Sequence, residues 1–100
     1  MFRGTTPIHT FYVEIDTSII KEVKITYSQK DEEVLVKRTD DCTIEDGQIS
    51  TKLSQEDTFK FEPNTVVFIQ LRVLTTGDDV LISELIKASV GKCLDDEVLS

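Results

Sequence analysis

The chain has 100 residues, of which 39% are apolar and 30% charged, and its net charge is −8. This length fits one domain spanning residues 1–100, and the Val, Ile, Leu and Phe content suits a packed core better than a disordered chain. Eleven basic residues against nineteen acidic ones argue against nucleic acid and anionic membranes as ligands, because phosphate neutralisation needs clustered Lys and Arg.

The N-terminal segment lacks the apolar stretch of an export signal, and the longest apolar run, residues 66–69, is too short to cross a bilayer. We therefore expect the host cytoplasm, with incorporation into a larger particle as the second location. Thiols stay reduced in that compartment, so Cys42 and Cys93 are expected to be free. Two cysteines without a nearby histidine pair do not make a zinc site.

Period-two alternation dominates the first half of the chain. His9, Phe11, Val13 and Ile15 alternate with polar residues and predict the first strand. A second strand is predicted over residues 22–28 and a third over residues 34–39, joined as a hairpin. A short strand over residues 42–45 meets its partner, residues 49–53, through the turn Asp46-Gly47, since glycine accepts the positive φ of a tight turn.

The second half begins with a single helical turn. Ser54 and Asp57 have capping-box-like spacing, and Phe59 and Phe61 alternate again directly afterwards. Residues 65–76 form the most apolar strand, which is expected to be central and covered on both sides. Gly77-Asp78 turns the chain into the last predicted strand, residues 80–90, and an acidic tail follows.

These elements predict an all-β fold, an antiparallel Ig-like β-sandwich of about seven strands. A small barrel is the alternative. The chain has no Trp and no paired-cysteine framework of an antibody domain, so the likeness concerns architecture alone.

No catalytic motif emerges from the pattern. His9 lies on the inward side of the first strand, and neither cysteine sits in a local motif that would complete a Cys-His dyad. The four glycines are isolated and form no phosphate loop. We therefore predict no enzymatic activity, no cofactor and no small-molecule ligand.

Acidic residues recur at the predicted turns. Five clusters stand out: residues 31–33, 40–41, 45–46, 78–79 and 95–97. Converging loop carboxylates can bind calcium, yet no cluster matches a calcium-loop motif. The simpler explanation of these clusters is that acidic residues favour turns and keep the surface of the protein soluble.

Four segments carry a resemblance over nearly the whole chain: RGTTPIHTF at residues 3–11, KLSQEDTFKF at 52–61, IQLRVL at 69–74 and VGKCL at 90–94. The chain resembles small all-β proteins encoded by tailed phages and prophages of Gram-positive bacteria, which lie among genes for virion parts. The resemblance implies a phage setting and a β-sandwich. It assigns no role to any residue.

The leading hypothesis is a structural or assembly protein of a phage, such as a head or tail accessory, acting on other phage structural proteins or on itself. Its two ends are the expected contact elements, because an extended terminus can add a strand to a neighbour. The candidate contact residues are Phe2, Leu94, Val98 and Leu99. The alternative is that both ends are frayed.

The second hypothesis is an acidic inhibitor that mimics nucleic acid and blocks a host DNA-binding protein. A mimic should gather its acidic residues on one face, whereas here they are interleaved with basic residues such as Lys24 and Arg38. A third hypothesis, a carbohydrate-binding module, lacks Trp and has only two tyrosines.

Overall fold

The computed structural model of the protein describes residues 1–83, 86–95 and 97–99. The described chain contains eight strands and one short helix: β1 Ile8–Tyr12, β2 Ile20–Gln29, β3 Glu32–Arg38, β4 Cys42–Glu45, β5 Gln48–Lys52, α1 Gln55–Phe59, β6 Val67–Thr75, β7 Val80–Ile82 and β8 Ile86–Ala88. Single 3-10 turns lie at Thr17–Ile19 and Thr39–Asp41.

The strands form two antiparallel sheets that pack together. The first sheet has the order β1-β5-β4. The second has the order β3-β2-β6, with β7 and β8 following one another along the far edge of β6. The predicted all-β sandwich is therefore confirmed, with eight strands instead of seven.

The core lies between the sheets and comes from the alternation of the strands. Val23, Ile25 and Tyr27 of β2 are fully buried, and Leu71 and Val73 of β6 nearly so. The facing layer comes from β1, β5 and the segments around α1, and its buried members are Phe11, Ile49, Leu53 and Phe61. A fully buried side chain of this size contributes roughly 1.5–3 kcal/mol.

Local signals place the turns. Gly47 has a φ of 72°, as the predicted Asp-Gly hairpin turn requires. Ser54 caps α1: its Oγ accepts the N–H of Asp57, and the Asp57 carboxylate accepts the N–H of Ser54, so the predicted capping box is confirmed. The β2–β3 hairpin turns through Lys30 and Asp31, both with positive φ, without any glycine.

Two predictions about the second half are wrong. Residues 80–90 do not form one strand: the described part contains β7, which ends at Ile82, and β8, which begins at Ile86 and pairs with β6 in a register shifted by one residue. Ser83 still bonds to Leu71 of β6, but its side-chain Oγ accepts the Leu71 N–H. Residues 84 and 85 of this predicted strand lie outside the described residues. Strand β6 is central but not covered on both sides, since Phe68 and Leu74 on its outer face are only half buried.

Candidate functional site: the open side of the sandwich

Polar side chains lie between the sheets at one point, and they are the natural place to look for chemistry. His9, Thr51 and Cys42 stand opposite one another across β1, β5 and β4. The Nδ1 atom of His9 lies 2.7 Å from the hydroxyl of Tyr27, which belongs to the other sheet. The pairing of these strands thus places the single histidine and one cysteine on the same inward face of the first sheet.

The ionisation of this cluster favours a structural role. Burial raises the pKa of the Cys42 thiol, so the thiol stays protonated at neutral pH and is a poor nucleophile. Burial also lowers the pKa of His9 and raises that of Tyr27, which keeps the hydrogen-bonded pair neutral. Thr51 stands between His9 and Cys42, which places their strands two spacings, roughly 10 Å, apart.

A nearly buried ion pair connects α1 to β3. Lys37 Nζ lies 2.8 Å from an Asp57 carboxylate oxygen, and the side chains are only 14% and 13% exposed. Burial alone would raise the pKa of Asp57, but the hydrogen bonds from Lys37 and from the Ser54 N–H outweigh it, so the pKa is lowered. Each charge is compensated by the other, so the pair holds α1 against β3.

An open apolar groove runs along one side of the sandwich. It has a volume of about 640 Å³ and lies between β1 and the strands β7 and β8. Its apolar lining comes from both sheets: Phe11, Val13, Ile15, Leu71, Val73, Leu81, Ile82 and Ile86. Tyr12 and Ile82 on its rim are 78% and 59% exposed.

The backbone of β1 borders this groove with unused hydrogen-bonding groups. Leu53 donates to the carbonyl of Pro7 and Val13 donates to the carbonyl of Gly47, so odd-numbered residues of this segment face β5. Because antiparallel strands alternate, the N–H and C=O groups of Thr10 and Tyr12 point away from β5. No strand of the described chain pairs with that edge.

The two sides of the sandwich differ in how their edges are protected. The opposite side is bordered by β3, with Glu32, Glu33, Lys37 and Arg38, and by β4, which ends in Glu45. Charges of this kind discourage pairing with another chain. Strands β1 and β7 contain no Asp, Glu, Lys or Arg. On the groove side of the described chain, charge comes only from residues next to these two strands, Glu14 after β1 and Lys87 in β8, so the edges of β1 and β7 themselves are exposed and carry no charge.

The residues expected to make contacts do not lie in the groove. Phe2 pairs as an isolated bridge with Gly91, and Gly91 donates to the carbonyl of Met1. Leu99 exchanges two hydrogen bonds of 2.6 Å with the side chain of Gln55. Both ends are thus tied to the body of the protein, while Phe2, Leu94, Val98 and Leu99 keep exposed side chains.

The acidic turns are distributed over the molecule. Asp31 lies in the turn at the end of β2, whereas Asp78 follows the end of β6, which pairs with the start of β2. Within residues 1–83, 86–95 and 97–99, no group of three or more His, Cys, Asp or Glu side chains is placed to hold a metal ion. Asp96 of the last acidic cluster lies outside the described residues.

The groove is the feature that sequence reasoning missed. The residues of β7, Val80-Leu81-Ile82, look like an ordinary apolar strand, and nothing in that pattern says that one side of it is uncovered. The one usable signal is the absence of charged residues from both β1 and β7, since an exposed edge strand usually carries at least one charged side chain.

Comparison with known proteins gives no relative: no family model, no curated protein and no solved structure matches the chain. The longest helix in the described part is five residues, and none there is long and apolar enough to span a membrane.

Proposed function

We propose that the protein is a non-enzymatic assembly protein of a tailed phage or prophage, a head or tail accessory that acts through protein–protein contacts. The observation that carries the proposal is the open groove, where the charge-free strands β1 and β7 border a mostly apolar lining on one side of the sandwich. Contiguous apolar surface of this kind is typical of interaction sites.

The geometry of the groove favours strand addition. An extended segment beside β1 would bond to the outward N–H and C=O groups of Thr10 and Tyr12. Its inward side chains would cover Leu81 and Ile86. Strand β1 has five residues, so the added strand would span roughly 17 Å.

A folded second copy fits the groove poorly. Its own β1 already points Phe11 into its own core, so this inward-facing side chain is not free to fill the groove of a neighbour. A free terminus or loop of another phage structural protein does not meet this difficulty.

The phage setting rests on the four resembling segments, two of which include groove residues: Phe11 in residues 3–11, and Leu71 and Val73 in residues 69–74. In this proposal the protein is made in the host cytoplasm and is then incorporated into the particle. The nucleic-acid mimic is the weaker alternative, because the acidic turns lie at both ends of β2.

Particle incorporation tests the proposal with two matched variants. Ile86 lies in the groove and Val66 outside it, and each is 45% exposed, so Ile86→Asp and Val66→Asp introduce the same change at equal exposure. Each variant is produced in cells in which the phage is replicating, and the particles are purified by density gradient.

The wild-type and Val66→Asp proteins are expected in the particle fraction, and Ile86→Asp in the soluble fraction. Circular dichroism of each purified protein confirms that the fold is kept. Absence of the wild type from particles would contradict the phage role, and equal incorporation of both variants would contradict the groove as the contact.

A further inference from the structure

Three basic side chains form a row across the outer face of the second sheet. Lys24 of β2 stands directly opposite Arg38 of β3 on one side and Arg72 of β6 on the other. Directly opposite residues share a face of the sheet, so the three cations lie within roughly 10 Å of one another. This row faces away from the three-stranded sheet.

The row is unfavourable for folding, and Glu22, which lies beside it, forms no described salt bridge with any of its three cations. Like charges directly opposite one another destabilise a sheet. The described salt bridges use Lys30, Lys37 and Lys60, and none joins an acid to the row. The nearby Asp41 carboxylate accepts the main-chain N–H of Arg38 instead.

The row borders a shallow hollow with apolar walls. The hollow has a volume of about 290 Å³, and Leu74 and Val80 line it together with the three cations and Glu22. Val80 is 52% exposed. A ligand for this surface should combine several negative charges with apolar side chains.

The C-terminal tail of this same sequence has that composition. Asp95, Asp96 and Glu97 are consecutive and are flanked by Leu94 on one side and Val98-Leu99 on the other. The side chain of Leu94 is 95% exposed and that of Leu99 is 74% exposed. Within its own chain, Leu99 is held by Gln55 at the start of α1, directly after the three-stranded sheet and away from the row.

We propose that the row Arg38–Lys24–Arg72 is a docking site for the acidic tail, residues 94–99, of a second copy of this protein. The carboxylates pair with the cations, and the flanking apolar residues pack on Leu74 and Val80. The contact joins one surface to a different surface, so it repeats from copy to copy and builds a chain of subunits.

The net charge of −8 does not prevent this contact. Repulsion between whole molecules acts over long distances and is screened beyond roughly 8 Å at physiological salt. Nucleic acid is a poorer ligand for the row, because its phosphates bring no aliphatic side chains to pack on Leu74 and Val80.

The experiment uses a fluorescently labelled peptide of residues 94–100 and the full-length protein, with binding followed by anisotropy. The peptide is expected to bind the wild type at 50 mM salt and to weaken at 500 mM salt. The variant Lys24→Glu/Arg72→Glu should bind it about tenfold more weakly or worse. The control Lys52→Glu/Lys92→Glu carries the same charge change at exposed positions outside the row and should bind like the wild type.

Charge reversal separates recognition from damage to the fold. A peptide in which Asp95, Asp96 and Glu97 are replaced by Lys should fail to bind the wild type and should bind Lys24→Glu/Arg72→Glu. In sedimentation, the full-length protein should associate and a variant lacking residues 94–100 should be monomeric.

Absence of peptide binding to the wild type, or equal binding by the row variant, would overturn the proposal. Equal or tighter binding of a 12-nucleotide single-stranded DNA would assign the row to nucleic acid instead. The row lies outside the groove, so these outcomes leave the groove proposal to its own experiment.

Discussion

The nearly buried pair of Lys37 and Asp57 gives the sharpest test of the fold's energetics. The change Asp57→Asn keeps the size of the side chain and an oxygen that can accept the Ser54 N–H. It removes the negative charge that lies 2.8 Å from an ammonium group whose side chain is only 14% exposed. Lys37 then stays mostly buried without its counterion.

The expected loss follows from that burial. Breaking a fully buried pair costs roughly 3–5 kcal/mol and an exposed pair under about 1 kcal/mol. At 13–14% exposure we expect the Asp57→Asn variant to lose about 2–3 kcal/mol of unfolding free energy. With a slope of about 1.5 kcal/mol per molar urea, the unfolding midpoint should fall by about 1.3–2 M.

A second substitution isolates the cause. Lys37→Met in the Asp57→Asn background removes the uncompensated charge and should restore at least about 1 kcal/mol. The control Glu62→Gln breaks the ion pair of Glu62 with Lys30, in which the Lys30 side chain is 68% exposed and the Glu62 side chain 58% exposed. It should lower the unfolding free energy by less than about 1 kcal/mol.

The pH dependence has a defined direction. The pKa of Asp57 is lowered in the folded state, so its contribution is complete above the usual carboxyl pKa near 3.8 and is lost as pH falls through the folded value. Urea unfolding of Asp57→Asn should lack that acid-side decline. A loss equal to that of Glu62→Gln, or no recovery with Lys37→Met, would refute the reasoning.

Three further predictions concern single positions. The pKa of His9 is lowered below 6.5 in the folded state, so the unfolded chain takes up the proton first as the pH falls. The unfolding free energy should therefore decrease as the pH drops from 7 through 6.5. In the His9→Gln variant, the urea midpoint should depend less on pH across this window. A Cβ at Gly91 would clash with the Phe2 ring, so Gly91→Ala should displace the N-terminal segment. The Arg3 amide, which donates to the Gly91 carbonyl, should then exchange faster with solvent, whereas Gly77→Ala should leave its exchange unchanged. Asp31→Gly relieves a positive φ of 61° and should raise the thermal midpoint by a few degrees, and an unchanged midpoint would argue against strain in that turn.

The fold was largely predictable because its signals are local. Alternation in residues such as Val23 and Ile25 reports which side chains face the core. The capping box at Ser54 and the Asp-Gly turn at Gly47 each need only a few neighbouring residues. The division of residues 80–90 into β7 and β8 was missed because their composition is strand-like throughout, and only the pairing with β6 shows the change of register between the two strands.

The surfaces were not predictable, because they depend on register between distant strands. Lys24, Arg38 and Arg72 are separated by 14 or more residues in sequence, and only the pairing of β2 with β3 and β6 aligns them. The pairing of β2 with β3 includes a shift of register between Tyr27 and Ser28, which no sequence pattern predicts. Basic residues that look dispersed among acidic ones thus include three that share one row.

The groove likewise depends on how strands that are distant in the sequence are arranged. Phe11 and Leu81 are 70 positions apart, and each belongs to a strand with ordinary apolar character. Whether a further strand covers them depends on how many strands each sheet has and in which order. The first sheet stops at β1, so the inward side of β7 and β8 stays uncovered.

The most direct test of the account is hydrogen exchange at the edge of β1. Exchange is followed by mass spectrometry for the free protein and for the protein in purified particles. Strand addition predicts that the amides of Thr10 and Tyr12 exchange at least about tenfold more slowly in the particle, because a new ladder of hydrogen bonds protects them. Unchanged exchange across residues 8–14, with new protection on another face of the molecule, would contradict the groove as the site of assembly.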